Sequence, residues 1–385
     1  MNIRDKCSVL YHRGSLVSSS GDKFLNFWKI KNVIVRSSRY QRDDVTLVSL
    51  ASHKSPARLR ISAGSPSHLV RALGRGRVPV SLCLVFNEQI QNSWDIIDNT
   101  CTRMRDICTQ FQKDGYVILE DLFQTEEIEE LRACGEEFTN KLPPESERKV
   151  FNTIQLQQNK DKYFLDSANK ISFFFESEAL EEDGKLKVHP RVSLNKIGHA
   201  LHWLHPTFRK YTFDERIKEV VFHLSFEEPV VCQSMYIYKN PGIGSEVTMH
   251  QDASYLYVEP MKLLGFWIAL EDATLENGCL WIAPGSHQSG VHRRYMRNKD
   301  SNSQELLIFD RPAPCYQLSN FRPVPVRKGT CILLHGQVVH FSYPNKSETS
   351  RHAYTFHVIE TKNVSYSKEN WLQPPAEGFA SLYKN

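Results

Sequence analysis

The sequence lacks the cysteine pattern of a stapled or zinc-bound protein. Its nine cysteines (Cys7, Cys83, Cys101, Cys108, Cys134, Cys232, Cys279, Cys315 and Cys331) are odd in number, scattered, and without a C-x-x-C pair. That excludes a disulfide scaffold and a thiolate zinc site, and it fits a reducing compartment. No apolar run approaches the ~20 residues that a membrane-spanning helix needs. There is no internal repeat, and no G-x-S-x-G elbow to support Ser-His-Asp nucleophilic catalysis. What is present has globular proportions: 41% apolar, 24% charged and 11% aromatic over 385 residues, which excludes a fibrous or wholly disordered chain.

Acidic residues are scarce in one part of the chain only. Residues 1–80 carry 15 Lys and Arg against 4 Asp and Glu, whereas the remaining 305 carry 33 against 40. The net +4 therefore averages two unlike pieces, and the acidic body gives no reason to expect a nucleic-acid partner. Residues 1–100 are rich in Ser and Arg and show no sustained period of 3.6 or 2.0. Such a segment buries too little surface to offset chain entropy. The expected division is a basic, poorly ordered extension over 1–100 and one folded domain over 101–385.

Within that domain, Asp106–Asp114 reads as a short helix ended by Gly115, and Tyr116–Glu120 as a strand. Thr125 is the expected N-cap of a helix running to about Lys141, with Ile128, Leu131, Cys134 and Phe138 as its apolar stripe. A Phe-rich strand is expected at Ile171–Glu176 and a helix at Leu194–Leu204. From Val230 onward short strands are expected at Val230–Lys239, Thr248–Ser254, Lys262–Leu270, Cys279–Ala283, Thr330–His335 and Ala353–Glu360. Turn signals such as Asn240-Pro241-Gly242 and Asn277-Gly278 separate them. Helices first and many short strands later imply a sandwich or barrel with helices packed outside it.

The chemistry sits in His250-Gln251-Asp252. Along a strand, residues two apart share a face, so an imidazole and a carboxylate project together. A second imidazole would complete a two-His-one-carboxylate set with open positions, the geometry of non-heme Fe(II) and oxygen chemistry. Two candidates lie downstream, His335 and His340, and Arg351 follows. A planar guanidinium suits a bidentate grip on a carboxylate. Metal chelation of one end of 2-oxoglutarate and an arginine on the other make a coherent cosubstrate site. His199, His202 and His205 lack a completing carboxylate. The Glu276–Cys279 turn and Pro284–His287 read as structural.

From Phe111 to Tyr383 the chain resembles the phytanoyl-CoA dioxygenase family of Fe(II)/2-oxoglutarate oxygenases. The resemblance rests on Ser193–His202, Gln233–Ile237, His250–Ser254, Glu271–Leu280 with Trp281–His287, and Asn370–Pro374. It implies a mainly β fold with flanking helices, the core being a double-stranded β-helix (jelly roll). It also implies iron held by His250, Asp252 and His340, with His335 left to a supporting or core role. Arg351 falls at the position that grips 2-oxoglutarate, and Lys196, Met235 and Trp267 fall at cosubstrate-pocket positions. Asp252 itself favours oxygenation, because the related halogenases lack that carboxylate.

The function implied is conversion of 2-oxoglutarate and O2 to succinate and CO2, coupled to hydroxylation of a small molecule. A lipid or acyl derivative lies within the family's range, although the family name does not establish phytanoyl-CoA as this chain's substrate. A metal-retaining jelly roll that binds or senses without hydroxylating fits the same residues. The chain ends Ser-Leu-Tyr-Lys-Asn, not Ser-Lys-Leu. Arg60-Ile61 and His68-Leu69 are spaced one residue too widely for an N-terminal peroxisomal signal. The expected location is cytoplasmic, with the basic N-terminal segment leaving organelle targeting open.

Overall fold

Eleven strands carry the architecture. They are β1 (Tyr116–Leu119), β2 (Ile171–Phe175), β3 (Leu194–His199), β4 (Pro229–Ile237), β5 (Val247–His250), β6 (Leu263–Ala269), β7 (Leu280–Ile282), β8 (Arg322–Val324), β9 (Cys331–His335), β10 (His340–Ser342) and β11 (Ala353–Glu360). The structure is a computed structural model. It describes residues 104–385 and the backbone of three short strands, Phe27–Ile30, Val33–Ser37 and Val45–Ser49, paired antiparallel in that order. Two units divide the chain, Met1–Asp106 and Ile107–Asn385. The expectation of a poorly ordered extension falls on residues that otherwise lie outside the described ones.

The strands alternate between two sheets. The large one runs β1-β9-β6-β11-β4-β3-β2, and the small one β8-β7-β10-β5. From β4 to β7, and again from β9 to β11, the chain crosses from one sheet to the other at each step. That is the winding of a jelly roll, as the sequence implied. β6 and β11 are buried at every position. They lie at the centre of the large sheet and are covered on both faces, which is why they read as apolar runs rather than alternating ones.

Register decides which side chains meet between the sheets. Met235, Thr355 and Trp267 are partners across β4, β11 and β6, and two residues along lie Gln233, His357 and Gly265. Both rows therefore share one face. Trp267 packs there with Leu280 and Ile282 of the small sheet. The intervening row faces the helices. Tyr236 and Tyr354, partners one position beyond Met235 and Thr355, share that opposite face. The Tyr354 hydroxyl lies 2.7 Å from Thr212 Oγ1, at the end of the helix Pro206–Thr212.

Three expectations change. Residues 104–114 are helical and Gly115 ends the helix at φ 78, as read. However, the next helix, α1 (Thr125–Thr139), is capped by Gln124 rather than Thr125. The Gln124 backbone N–H donates to Glu127 Oε2 at 2.8 Å, so the glutamate three residues on sets the start. The apolar stripe uses Gly135 where Cys134 was expected. A Cβ on Gly135 would lie 2.0 Å from the Tyr236 ring, so the tyrosine packs against bare backbone. Last, Leu194–Leu204 is not a helix: Leu194–His199 is strand β3, and only Leu201–Leu204 is helical. β3 pairs with β2 on one side and β4 on the other, and that pairing decides what its apolar spacing left open. Among the described residues no helix is long and apolar enough to cross a membrane.

Candidate metal centre

β5 stops at His250, and the chain turns at once into a 3-10 segment, Asp252–Ser254. Asp252 therefore reaches the side of His250 through a turn, not along the continued strand expected from the sequence. Gln251 fixes that turn. Its Nε2 donates to Gly290 O (2.8 Å) and Gln337 O (2.7 Å), and its Oε1 accepts from His292 N (2.8 Å). In the small sheet His340 is the cross-strand partner of His250, and their ring centroids lie 4.3 Å apart.

The three side chains converge. Asp252 Oδ1 lies 3.6 Å from His250 Nε2 and 3.7 Å from His340 Nε2. All three donor atoms fall within 4.8 Å of one another. The other ring nitrogens meet backbone carbonyls: His250 Nδ1 lies 2.8 Å from Thr248 O, and His340 Nδ1 3.1 Å from Val338 O. A carbonyl only accepts, so each Nδ1 carries a proton and each Nε2 is the nitrogen turned toward the carboxylate, the one a cation would use. Burial, with the neighbouring His250, pushes His340 down to about 4, which keeps it neutral. Burial pushes Asp252 up, but His357 and His340 outweigh it and hold the carboxyl well below its usual range. Two imidazoles and one carboxylate are a donor set that fits Fe(II).

Two residues unmarked by the sequence complete the carboxylate's surroundings. His357 Nε2 lies 3.2 Å from Asp252 Oδ2, which leaves Oδ1 to the cluster. Gly265, the cross-strand partner of His357, makes room, since a Cβ there would approach Oδ2 to 2.8 Å. An unbroken apolar run hides such a glycine, and only the register brings it to the aspartate.

The cluster opens on a cavity of about 180 Å3 between the sheets. Met235 and Trp267 form part of its wall, and Lys196, Lys239 and Arg351 bring cations to it. Arg351 is 1% exposed. Its Nε donates to Gly278 O at 3.1 Å, its guanidinium lies 5.1 Å from the Trp267 ring centroid, and its Nη1 has no partner among the described residues. Burial pushes it down to about 10. The Lys196 ammonium rests 3.2 Å from the centroid of the Phe151 ring, and burial pushes it down to about 7. Burial, then the charge of Arg351, lowers Lys239 well below its ordinary value. Thus the Asn277-Gly278 turn, read as structural, also holds the arginine.

His335 stands apart from the cluster. Its ring packs against Phe111 (5.8 Å) and His287 (5.0 Å), and its Nδ1 accepts from Gln337 N. Nor do the upstream histidines form an array. His199 Nδ1 lies 2.9 Å from Ser167 Oγ in a strand, and His202 Nδ1 lies 2.8 Å from Ser234 Oγ in the following helix.

A jelly roll that gathers two imidazoles, a carboxylate and an unpaired guanidinium on one cavity has the architecture of a non-heme Fe(II)/2-oxoglutarate oxygenase. The sequence pattern of the phytanoyl-CoA dioxygenase (PhyH) family matches residues 111–353. The phytanoyl-CoA dioxygenase domain-containing protein 1 homolog of Caenorhabditis elegans is 44% identical over 288 residues, covering 73% of this chain and 100% of the relative. The phytanoyl-CoA dioxygenase of Arabidopsis thaliana is 43% identical over 263 residues, 68% of this chain and 91% of the relative. The chain belongs to the phytanoyl-CoA dioxygenase family, and its reaction class is Fe(II)- and 2-oxoglutarate-dependent oxygenation. Solved structures that resemble it more distantly include the carbocyclase SnoK from nogalamycin biosynthesis (20% identity, TM-score 0.46, 69% of this chain and 86% of that one). Another is EctD from S. alaskensis with 2-oxoglutarate and 5-hydroxyectoine (19%, 0.45, 66% and 74%).

Proposed function

We propose that this protein converts 2-oxoglutarate and dioxygen to succinate and CO2 while hydroxylating a compact substrate other than phytanoyl-CoA. His250, Asp252 and His340 would hold the iron. Bound there, iron supplies the redox chemistry by which one oxygen atom ends in succinate and the other in the substrate. The residues of the chain do the rest. Thr248 and Val338 fix the imidazole tautomers. His357 holds the outer carboxylate oxygen. Arg351, steadied by the face of Trp267, takes the far carboxylate of the cosubstrate with Lys196 as a second cation, and Met235 closes the wall.

One observation carries this reading: a fully buried guanidinium whose Nη1 has no partner among the described residues opens on the same cavity as the His-Asp-His cluster. A buried charge without a counter-charge is costly, so a site that keeps one is built for an anion. The size of the cavity supports a compact substrate. At about 180 Å3 it is smaller than the ~300–1,000 Å3 that encloses a drug-sized ligand, and the cosubstrate must share it. The test is succinate release from 2-oxoglutarate with Fe(II), with and without a panel of metabolite extracts. Release that needs iron and Asp252 is expected. Release unchanged in Asp252→Ala would overturn the reading.

A further inference from the structure

On the far side of the metal donors, the cavity wall is aromatic and leads to a cation. The Tyr255 ring lies 5.9 Å from the ring of His250, and its next neighbours are Tyr295 (5.4 Å) and Phe309 (6.2 Å). All three line the cavity, as do Phe164 and Trp371, which stack on each other at 4.6 Å. A short hairpin sets the outer end of this wall. Tyr295–Arg297 pairs antiparallel with Leu307–Phe309, so Tyr295 is the cross-strand partner of Phe309, and the Tyr295 hydroxyl donates to Asn159 Oδ1. Arg293 stands two residues before Tyr295, and its guanidinium lies 3.6 Å from the centroid of Phe309.

Arg293 differs from the arginines beside it. Arg294 is committed to Glu369 Oε2 (3.0 Å) and Ser367 Oγ (2.6 Å), and Arg297 to Trp371 O (3.1 Å). Asp310, next to Phe309, accepts from Arg294 N (2.7 Å) and Arg311 Nε (3.2 Å). Arg293 is half-buried and pairs with no carboxylate among the described residues. Its charge acts on the Tyr255 hydroxyl, against the burial that raises that group to about 12, so its field reaches the metal side of the wall. A guanidinium only donates and stays charged, and the group that answers it is an anion. Aromatic walls also attract organic cations. Here the ring of Phe309 already carries a cation, and a second one would be repelled.

We propose that the substrate hydroxylated here is a small carboxylic acid with an apolar body: the body packs on Tyr255 and Phe309, and Arg293 binds the carboxylate. The inference rests on the hydroxylation proposed above and names the substrate class. One C–H bond of the body becomes C–OH, the second atom of O2 leaves in succinate, and 2-oxoglutarate loses CO2. The cavity then serves two anions with separate tasks, the cosubstrate at Arg351 and the substrate at Arg293. Burial of the apolar body supplies affinity. The guanidinium supplies direction, because a carboxylate held at one end fixes which carbon lies toward the metal donors.

The test is calorimetric binding to the full-length protein loaded with Fe(II) and 2-oxoglutarate, without oxygen. The probes are phenylacetate, 3-phenylpropanoate and 4-phenylbutanoate, each beside its uncharged primary amide, and benzyltrimethylammonium as the cation. At least one acid should bind about tenfold or more tightly than its amide, the scale of one hydrogen bond between charged groups, with 2-oxoglutarate still in place. Arg293→Gln should bring that acid to within about twofold of its amide and leave amide, 2-oxoglutarate and iron affinities within about twofold. Arg293→Lys should recover part of the preference. The proposal falls if no acid binds, if the preference survives in Arg293→Gln, if the acid displaces 2-oxoglutarate, or if the cation binds more tightly than every acid. Any of these with 2-oxoglutarate binding lost in Arg351→Ala sinks the inference alone, whereas 2-oxoglutarate binding unchanged in Arg351→Ala sinks the cosubstrate reading beneath it. Should Arg293→Gln not fold, Arg293→Met decides by the same comparison of acid with amide.

Discussion

The two ends of the cavity are held by different kinds of structure. At the metal end, His250, Asp252 and His340 come from two paired strands of the small sheet and one turn, and each imidazole is oriented by a carbonyl two residues away. At the other end, Lys196, Lys239 and Arg351 come from β3, the exit of β4 and the approach to β11. The metal end is nearly self-sufficient, since each imidazole has a carbonyl partner and its carboxylate is partnered by His357. The cation end stores charge that no described carboxylate pairs directly. One end waits for a cation and tolerates its absence, while the other is destabilised until an anion arrives.

The largest effects should fall at the metal end. Asp252→Ala, His250→Ala and His340→Ala should each abolish iron binding and succinate formation while leaving the β core folded, as judged by circular dichroism. His335→Ala should keep both. Iron binding lost in His335→Ala and kept in His340→Ala would reassign the ligand.

Next comes the clamp. Truncating one member of a desolvated charge pair costs roughly 2–5 kcal/mol. Arg351→Ala should therefore raise the 2-oxoglutarate requirement by about 30-fold or more, with iron affinity unchanged. Arg351→Lys should recover only part, since an ammonium lacks the two-pronged fork. Support of a ligand should matter less than the ligand itself. His357→Leu should weaken Fe(II) by roughly 10- to 100-fold, the usual range for a group that orients a metal-binding side chain, measured by metal titration.

A smaller, opposite effect would sharpen the contrast. Burial pushes Lys196 from 10.5 to about 7, so between those values the unfolded chain binds the extra proton and stability rises with pH. The penalty is full below about pH 7 and gone above 10.5. Lys196→Met should raise the melting temperature of the ligand-free protein by a few degrees at about pH 6. The gain should shrink at about pH 9, even as 2-oxoglutarate affinity falls. An equal gain at both values would show that charge is not the cause. The smallest expected effect is none: a chain beginning at Cys101 should keep iron-dependent succinate formation and melt in one transition.

The candidate ligands are legible in the sequence in two ways. His250 and Asp252 are two residues apart, and the resemblance separates His340 from His335. The misread segments are those whose spacing fits two periods. Leu194–His199 suits a helix stripe or a buried strand equally well, and only its neighbours β2 and β4 decide. The roles of Gly265 and His357 are invisible for a related reason. Each looks like an ordinary member of a buried strand, and nothing near them in sequence points to Asp252.

By itself, then, the chain's sequence determined the alternation of short strands and turns, the basic bias of its first 80 residues, and the pairing of His250 with Asp252 as candidate donors. These depend on residue type and spacing along a few residues. Only the tertiary structure decided which face of each strand lines the cavity, that Gly278 holds Arg351, and that Lys239 stands beside it. Those facts depend on register between strands distant in sequence, and on the cost of burying charge, which no local pattern records.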